Sequence, residues 1–307
     1  MAGFDPKTPP AQRRRVVAVI VAALLGISSS AVLVKLMQAT ALAIATWRMV
    51  GAAVLVSVLA GGAMRQLRAR HLPSVTLAGL ALALHFWTWF ASVQYTTVLR
   101  STLLVSLVPV WTALLEGFRG AGWPTLRQLG GFVVALGGLA VIEGLSGPVV
   151  SSTVDPETAW MGDALATFAG MLWAIYLSVG RRVRQTLPVT VYFAVVCAVG
   201  AIALGGLSFA LGRAEDLVAF DATTAGLIGL AILGPQLLGH QGFAYAIKWV
   251  DATTISLVML LEPVGASLLA LVVLAERPSA AAAAGALLIV AGVAFATIET
   301  PAEADGP

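Results

Sequence analysis

Residues 253–274, TTISLVMLLEPVGASLLALVVL, contain a single charged side chain, Glu262, set beside Pro263 near their centre. About 20 apolar residues rising about 1.5 Å each cross a bilayer core of roughly 30 Å as a helix. A surface helix of this length in a soluble protein would carry a charged face. This one carries none, so its solvent is lipid. The rest of the chain agrees: 59% of its 307 residues are hydrophobic, 11% are charged and the mean hydropathy is +0.93. Soluble domains hold about 45–50% apolar and about 25% charged residues, which excludes a water-soluble enzyme.

Nine further apolar stretches flank this one, at 16–37, 41–61, 72–94, 96–117, 125–144, 159–180, 187–208, 224–247 and 279–299. Lipid offers no hydrogen bonds to free backbone groups, and continuous apolar runs without two-residue alternation favour helices over barrel strands. The expected fold is therefore an all-α integral membrane protein. Arg13, Arg14 and Arg15 ahead of the first run resemble the start of a signal peptide. That run continues to Met37 with no clean small-residue cleavage site, so a retained first helix is expected.

The formal charge of +3 and pI near 9.4 do not point to nucleic acid, because the basic residues alternate by side. The N-terminal tail, the connections at 65–70, 119–127 and 181–184, and Lys248 hold them, whereas the opposite connections hold Arg213 and Arg277. Lys and Arg mark cytoplasmic loops, so both termini are expected in the cytoplasm of a multi-pass protein of the cell (inner) membrane. Cys197 is the single cysteine, which excludes a disulfide framework and a cysteine metal site. No metal or other cofactor is expected.

Shifting the sequence by 154 residues superposes Pro109 on Pro263, Pro124 on Pro278, Gly131 on Gly285 and Gly138 on Gly292. LAGLA from Leu77 also echoes LIGLA from Leu227. The expected organisation is a tail (1–15), a first repeat (16–144), an extracytoplasmic linker (145–158), a second repeat (159–299) and a C-terminal tail (300–307). A five-span unit crosses the membrane an odd number of times, so its second copy is inverted. The architecture becomes ten transmembrane helices in two inverted five-helix repeats, a plan in which transporters place substrate near the midplane between halves.

The segments LHFWTWFASVQYTTVLRSTLLVSLVPVWTALLEG from Leu84 and LLGHQGFAYAIKWVDATTISLVMLLEPVGASLLALVVLAERPS from Leu237 resemble the two halves of an EamA-type member of the drug/metabolite transporter superfamily. Glu262-Pro263 followed by Ala275-Glu276-Arg277-Pro278 is similar to that family's closing pattern. The first half departs from it, with Val108 where the glutamate would precede Pro109. The resemblance implies ten helices, two repeats and export of small metabolites such as amino acids.

Several residues in the spans could carry transport. Pro109, Pro263 and Pro235 should weaken helical bonding at Val105, Met259 and Ala231, as plain kinks or as gates. His85 shares a helix face with Trp89 and Ser92, and His240 with Gln236 and Phe243. Trp173 and Tyr176 form an i, i+3 pair deep in their span, suited to an amphipathic or aromatic solute. Charged groups in a bilayer default to function: Arg48 and Glu262 lie close enough in depth for a structural ion pair, or Arg48 binds a substrate carboxylate while Glu262 titrates. His85, Trp89, Trp173, Tyr176, Gln236, His240 and Arg48 are thus the expected substrate residues, Glu262 and His240 the coupling pair, and Pro109, Pro263 and Pro235 the gates. Proton coupling would require an Arg48–Glu262 contact in one conformation that breaks in the other. Lys35 and Arg100 are expected to snorkel outward. Gly130, Gly131, Gly137, Gly138, Gly285 and Gly292 suit close helix packing or a homodimer surface.

No metal-ligand, nucleophile-elbow or P-loop motif favours an embedded enzyme, and a channel fits the inverted proline breaks less well than a secondary transporter does. A lipid bilayer and a small-molecule substrate are the expected partners, with proton coupling or exchange as the energy source and no nucleic acid. The topology is open to test: a cysteine at Ser151 should react with an impermeant thiol reagent from outside the cell, and reaction from the cytoplasmic side alone would overturn the orientation.

Overall fold

The computed structural model describes residues 3–96, 101, 104–120, 122–145, 158–273 and 280–297. Arg100, the interior of the 145–158 linker with Ser151, the Ala275–Pro278 pattern and the C-terminal tail from residue 298 lie outside them, as does the Lys35 side chain. Among the described residues, seven helical stretches are long and apolar enough to cross a membrane, and Val108–Phe118, Leu126–Val141 and Ala283–Thr297 are shorter apolar helices.

Helix α1 (Pro10–Leu36) begins six residues before the expected span, because proline is accommodated in a first helical turn, where an N–H has no intrahelical partner. Helix α2 (Ala41–Ala60) is capped by Thr40, whose hydroxyl accepts from the Ala43 N–H. Helices α3 (Leu72–Tyr95), α4 (Val108–Phe118) and α5 (Leu126–Leu145) follow. The second half holds α6 (Ala159–Arg184), α7 (Val189–Ala210) and α8 (Ala222–Ala231). Asp221 caps α8, and its hydrogen bonds from Thr224 hold its carboxyl below the usual carboxylate range. A π-helix over Ile232–Gln241 leads into α9 (Gly242–Ala246), then α10 (Ala252–Met259), α11 (Glu262–Val273) and α12 (Ala280–Thr297).

The expected spans 96–117 and 253–274 are not continuous helices. Turns at Ser106–Leu107 and Leu260–Leu261 interrupt them, and these positions coincide under the 154-residue shift. The cause is the proline two residues on, whose ring excludes the carbonyl four positions back and which supplies no donor. Leu107 bonds back to Leu104 and Leu261 to Val258, each three residues away, before the helix restarts with the proline in its first turn. Pro235 acts differently: its helix widens into the π segment instead of stopping.

The helix pairing has a two-fold pattern. Helix α3 lies on α6 just as α1 lies on the π segment, α8 and α9; α4 meets α6 as α11 meets α1; α2 pairs with α7, and α5 with α12. In the last pair, a Cβ added to Gly292 would sit 2.5 Å from the Gly131 carbonyl oxygen, and one on Gly138 2.5 Å from that of Gly285. Residue numbers run in opposite directions along this contact, so the helices are antiparallel and each glycine meets the repeat counterpart of the other. The glycine faces are consumed inside the chain, which removes Gly131, Gly138, Gly285 and Gly292 as a dimer surface. Gly137 points away, with nothing within 4 Å. Gly138→Val should therefore lower stability by about 1–3 kcal/mol through overpacking, read as a lower melting temperature in detergent, while Gly137→Ala leaves it unchanged.

Candidate functional site

Arg48 lies two turns into α2 and is 2% exposed. Its Nη1 donates to Ser30 Oγ of α1 at 3.2 Å and its Nη2 to Gln236 Oε1 at 3.1 Å. Its guanidinium carbon stands 5.2 Å from the Phe86 ring centroid, a cation–π distance. Gln236 is fully buried on the π-helix, and its amide nitrogen faces Met49 Sδ at 3.6 Å and Cys197 Sγ at 3.7 Å. The π segment carries both Gln236 and His240 into the bundle, a placement in keeping with the frequent occurrence of π-bulges at functional positions.

Trp173 of α6 is the centre of the aromatic wall. His85 lies 4.8 Å from it and His240 5.2 Å, centroid to centroid, so the two histidines from matching spans flank one indole. His240 also stands edge-on to Phe86 at 5.6 Å. The His85 ring stacks on Trp89 at 6.1 Å, and its Nδ1 lies 2.9 Å from the Ala169 carbonyl oxygen. A carbonyl only accepts, so Nδ1 carries the proton in that bond. Tyr176 meets Trp173 at 5.1 Å and stacks on Tyr192 of α7 at 6.4 Å.

The structure thus brings Arg48, Gln236, His240, Trp173, His85, Trp89 and Tyr176 into one buried cluster. The expected Arg48–Glu262 ion pair is not formed, because Ser30 and Gln236 take the guanidinium instead. Glu262 opens α11, with its backbone oxygen accepting from Ser28 Oγ at 3.3 Å. A buried Thr112–Ser256 hydroxyl contact of 2.9 Å joins α4 to α10, one half-helix from each broken span. Ser30, Phe86 and Tyr192 were not expected in the cluster. The run Ser28-Ser29-Ser30 in an otherwise apolar span is the signal that points to Ser30.

Two buried nitrogens of the cluster, Arg48 Nε and His240 Nδ1, make no hydrogen bond among the described residues, and the Nδ1–H tautomer of His240 would make both of them donors. An unsatisfied buried polar group costs about 1–3 kcal/mol, and an acceptor such as a carboxylate that reached Arg48 Nε would recover that cost. Beyond the cluster, away from the N-terminal tail, lies a cavity of about 200 Å³ lined by Thr40, Ala45, Trp87, Ala91, Leu211 and Arg213. Ala45 is one turn from Arg48, so the cavity adjoins the cluster. On the tail side Arg184 donates to the carbonyls of Ala244 and Leu187, and Gln185 to that of Lys248. Among the described residues no group of three His, Cys, Asp or Glu side chains could hold a metal ion.

A buried polar–aromatic cluster between two helical repeats of one membrane protein is an arrangement of the transporter kind. The model of the EamA-like transporter family matches residues 14–144 and 160–298, and the chain belongs to that family. It is 27% identical over 229 residues to an uncharacterized transporter of Archaeoglobus fulgidus, covering 74% of this chain and 75% of that one. It is also 27% identical over 228 residues to the uncharacterized transporter YyaM of Bacillus subtilis, covering 72% of each. A crystal structure with 22% identity superposes at a TM-score of 0.76 over 93% of this chain and 98% of its own, a likeness of fold.

The Arg48–Gln236 bond makes its own prediction. Gln236→Leu should destabilise the protein by about 1.5–3 kcal/mol, the range for a hydrogen bond to a charged group, with Gln236→Glu restoring an acceptor; chemical unfolding in detergent measures both.

Proposed function

We propose that this chain is a secondary transporter with ten membrane helices and cytoplasmic termini that exports small metabolites, amino acids or similar amphipathic solutes, by alternating access between inverted repeats. The observation that carries the reading is the unused buried donor Arg48 Nε, with the unpartnered His240 Nδ1 beside the Trp173 wall. The guanidinium suits a solute's carboxylate and the indole its apolar part. The two proline breaks suit the gating role, since each frees a half-helix to turn against its neighbour, and the coinciding turns give both repeats the same hinge. Transport runs on the solute's own gradient, on a proton or sodium gradient, or by exchange.

A second reading, export of lipophilic cations, is favoured by one observation: Glu262 has no ion pair with Arg48, which leaves a carboxylate to attract such cargo. The two readings part in cells. Strains overproducing the protein should tolerate higher levels of toxic amino-acid analogues, whereas resistance to quaternary ammonium dyes alone would establish the second.

In proteoliposomes the flux should saturate and be stimulated by counter-solute, which neither an open pore nor an enzyme shows. Trp173→Ala should raise the apparent KM about tenfold, equal to roughly 1.4 kcal/mol of lost binding, with near-normal expression. Unchanged affinity in both Trp173→Ala and Trp89→Ala would place the pocket elsewhere. Glu262→Gln should abolish pH-driven accumulation and keep exchange, because exchange need not alter protonation. Accumulation equal to the parent would make Glu262 structural and the protein a facilitator.

A further inference from the structure

The segment before α1 folds back onto the second repeat. Phe4 pairs in antiparallel fashion with Val250, with the Asp5 N–H donating to the Trp249 oxygen at 3.0 Å and the Asp251 N–H to the Gly3 oxygen at 2.9 Å. The chain then reverses: the Lys7 N–H donates to Asp5 Oδ1 and the Thr8 N–H to the Asp5 oxygen, both at 2.9 Å, and Thr8 is 4% exposed. Side chains of α1 hold the fold-back in place. Arg13 donates through Nε to the Thr8 oxygen and lies over the Phe4 ring, while Gln12 donates to the Tyr245 hydroxyl of α9 at 2.8 Å.

Gly3 is required by this docking. Its φ is +86°, in the left-handed region that favours glycine, and a Cβ there would collide with Asp251 Oδ2 and Thr254 Oγ1. Asp251 is the cap of α10, accepting from the Thr254 N–H at 2.7 Å and from the Thr254 hydroxyl at 2.8 Å. The other end of α10 is the Leu260–Leu261 turn beside Glu262. Residues 3–8 therefore grip the far end of a half-helix that is hinged next to the candidate site, and they tie it to α1 of the first repeat. If the tail-side ends of the two repeats separate, the Trp249–Asp251 connector must leave the start of α1, and both backbone bonds must break.

We propose that residues 3–8 are a latch on the tail-side mouth of the transporter, shut by Gly3–Asp5 on Trp249–Asp251 and released when that mouth opens; the proposal rests on the alternating-access reading above. Cys197 supplies a readout that needs no solute, because it is fully buried beside Gln236 and is the single cysteine of the chain. Phe4 and Val250 are an antiparallel pair of the kind without mutual hydrogen bonds, the closer-spaced kind, so cysteines placed there can bridge.

The test uses the full chain in membrane vesicles oriented so that a cysteine at position 4 reacts with an impermeant methanethiosulfonate. The same reagent is then followed at the Cys197 peptide by mass spectrometry. Gly3→Val, and independently Phe4→Ala should the first fail to fold, are expected to label Cys197 about tenfold faster than the parent, since labelling follows the open population. Oxidised Phe4→Cys/Val250→Cys is expected to label about tenfold more slowly than its reduced form, by the same relation. Equal rates across parent, release variants and bridged protein overturn the latch. Counterflow of a radiolabelled amino-acid mixture on the same proteins separates the two readings. Bridge-dependent labelling without flux overturns the solute class and supports the latch; flux undiminished by the bridge overturns the latch.

Discussion

Inside an apolar bundle, every backbone carbonyl that loses its helical donor must find another partner or face other protein groups. Three prolines create this condition here, and much of the site follows from how it is met. At Pro109 and Pro263 the helix stops for two residues and restarts, with Leu107 and Leu261 each bonding back three residues, to Leu104 and Val258. At Pro235 the ladder widens instead, which brings Gln236 beneath Arg48 and His240 beside Trp173. The irregular backbone and the polar cluster are two aspects of one arrangement.

Much of that arrangement can be read from the sequence. Span lengths, the 154-residue repeat and the proline positions are local or periodic signals, and they foretell both helix breaks. Depth along each span brings the two histidines and Trp173 to a similar level, and they meet. Depth does not reveal which helices are neighbours in the plane of the membrane. Arg48 and Glu262 have compatible depths, yet the arginine turns to Ser30 and Gln236. Tyr192 lies in the first turn of α7, where an aromatic residue looks interfacial, but the helix places it against Tyr176. The π-helix has no sequence period of its own, so its consequence for Gln236 appears only once it is folded.

A guanidinium bound by neutral partners is a different device from an ion pair. Ser30 and Gln236 orient Arg48 and Phe86 offers its face, yet none of the three cancels its charge. No carboxylate among the described residues forms an ion pair with it. A hydroxyl, an amide and a ring can keep their hold on the arginine whether or not an acid lies near it.

The crossing of α5 and α12 also sets an order in time. Gly131 leaves the ribosome 161 residues ahead of Gly292, the partner that covers it, an interval of roughly 8 to 30 s at 5–20 residues per second. Throughout that interval the first repeat stands in the membrane with its glycine groove uncovered, and a nascent chain halted within the second repeat would keep it so. The closing contact of the bundle is therefore also the last to be synthesised, and premature release leaves behind a half-molecule whose bare backbone groove is complementary to the corresponding helix of any other copy.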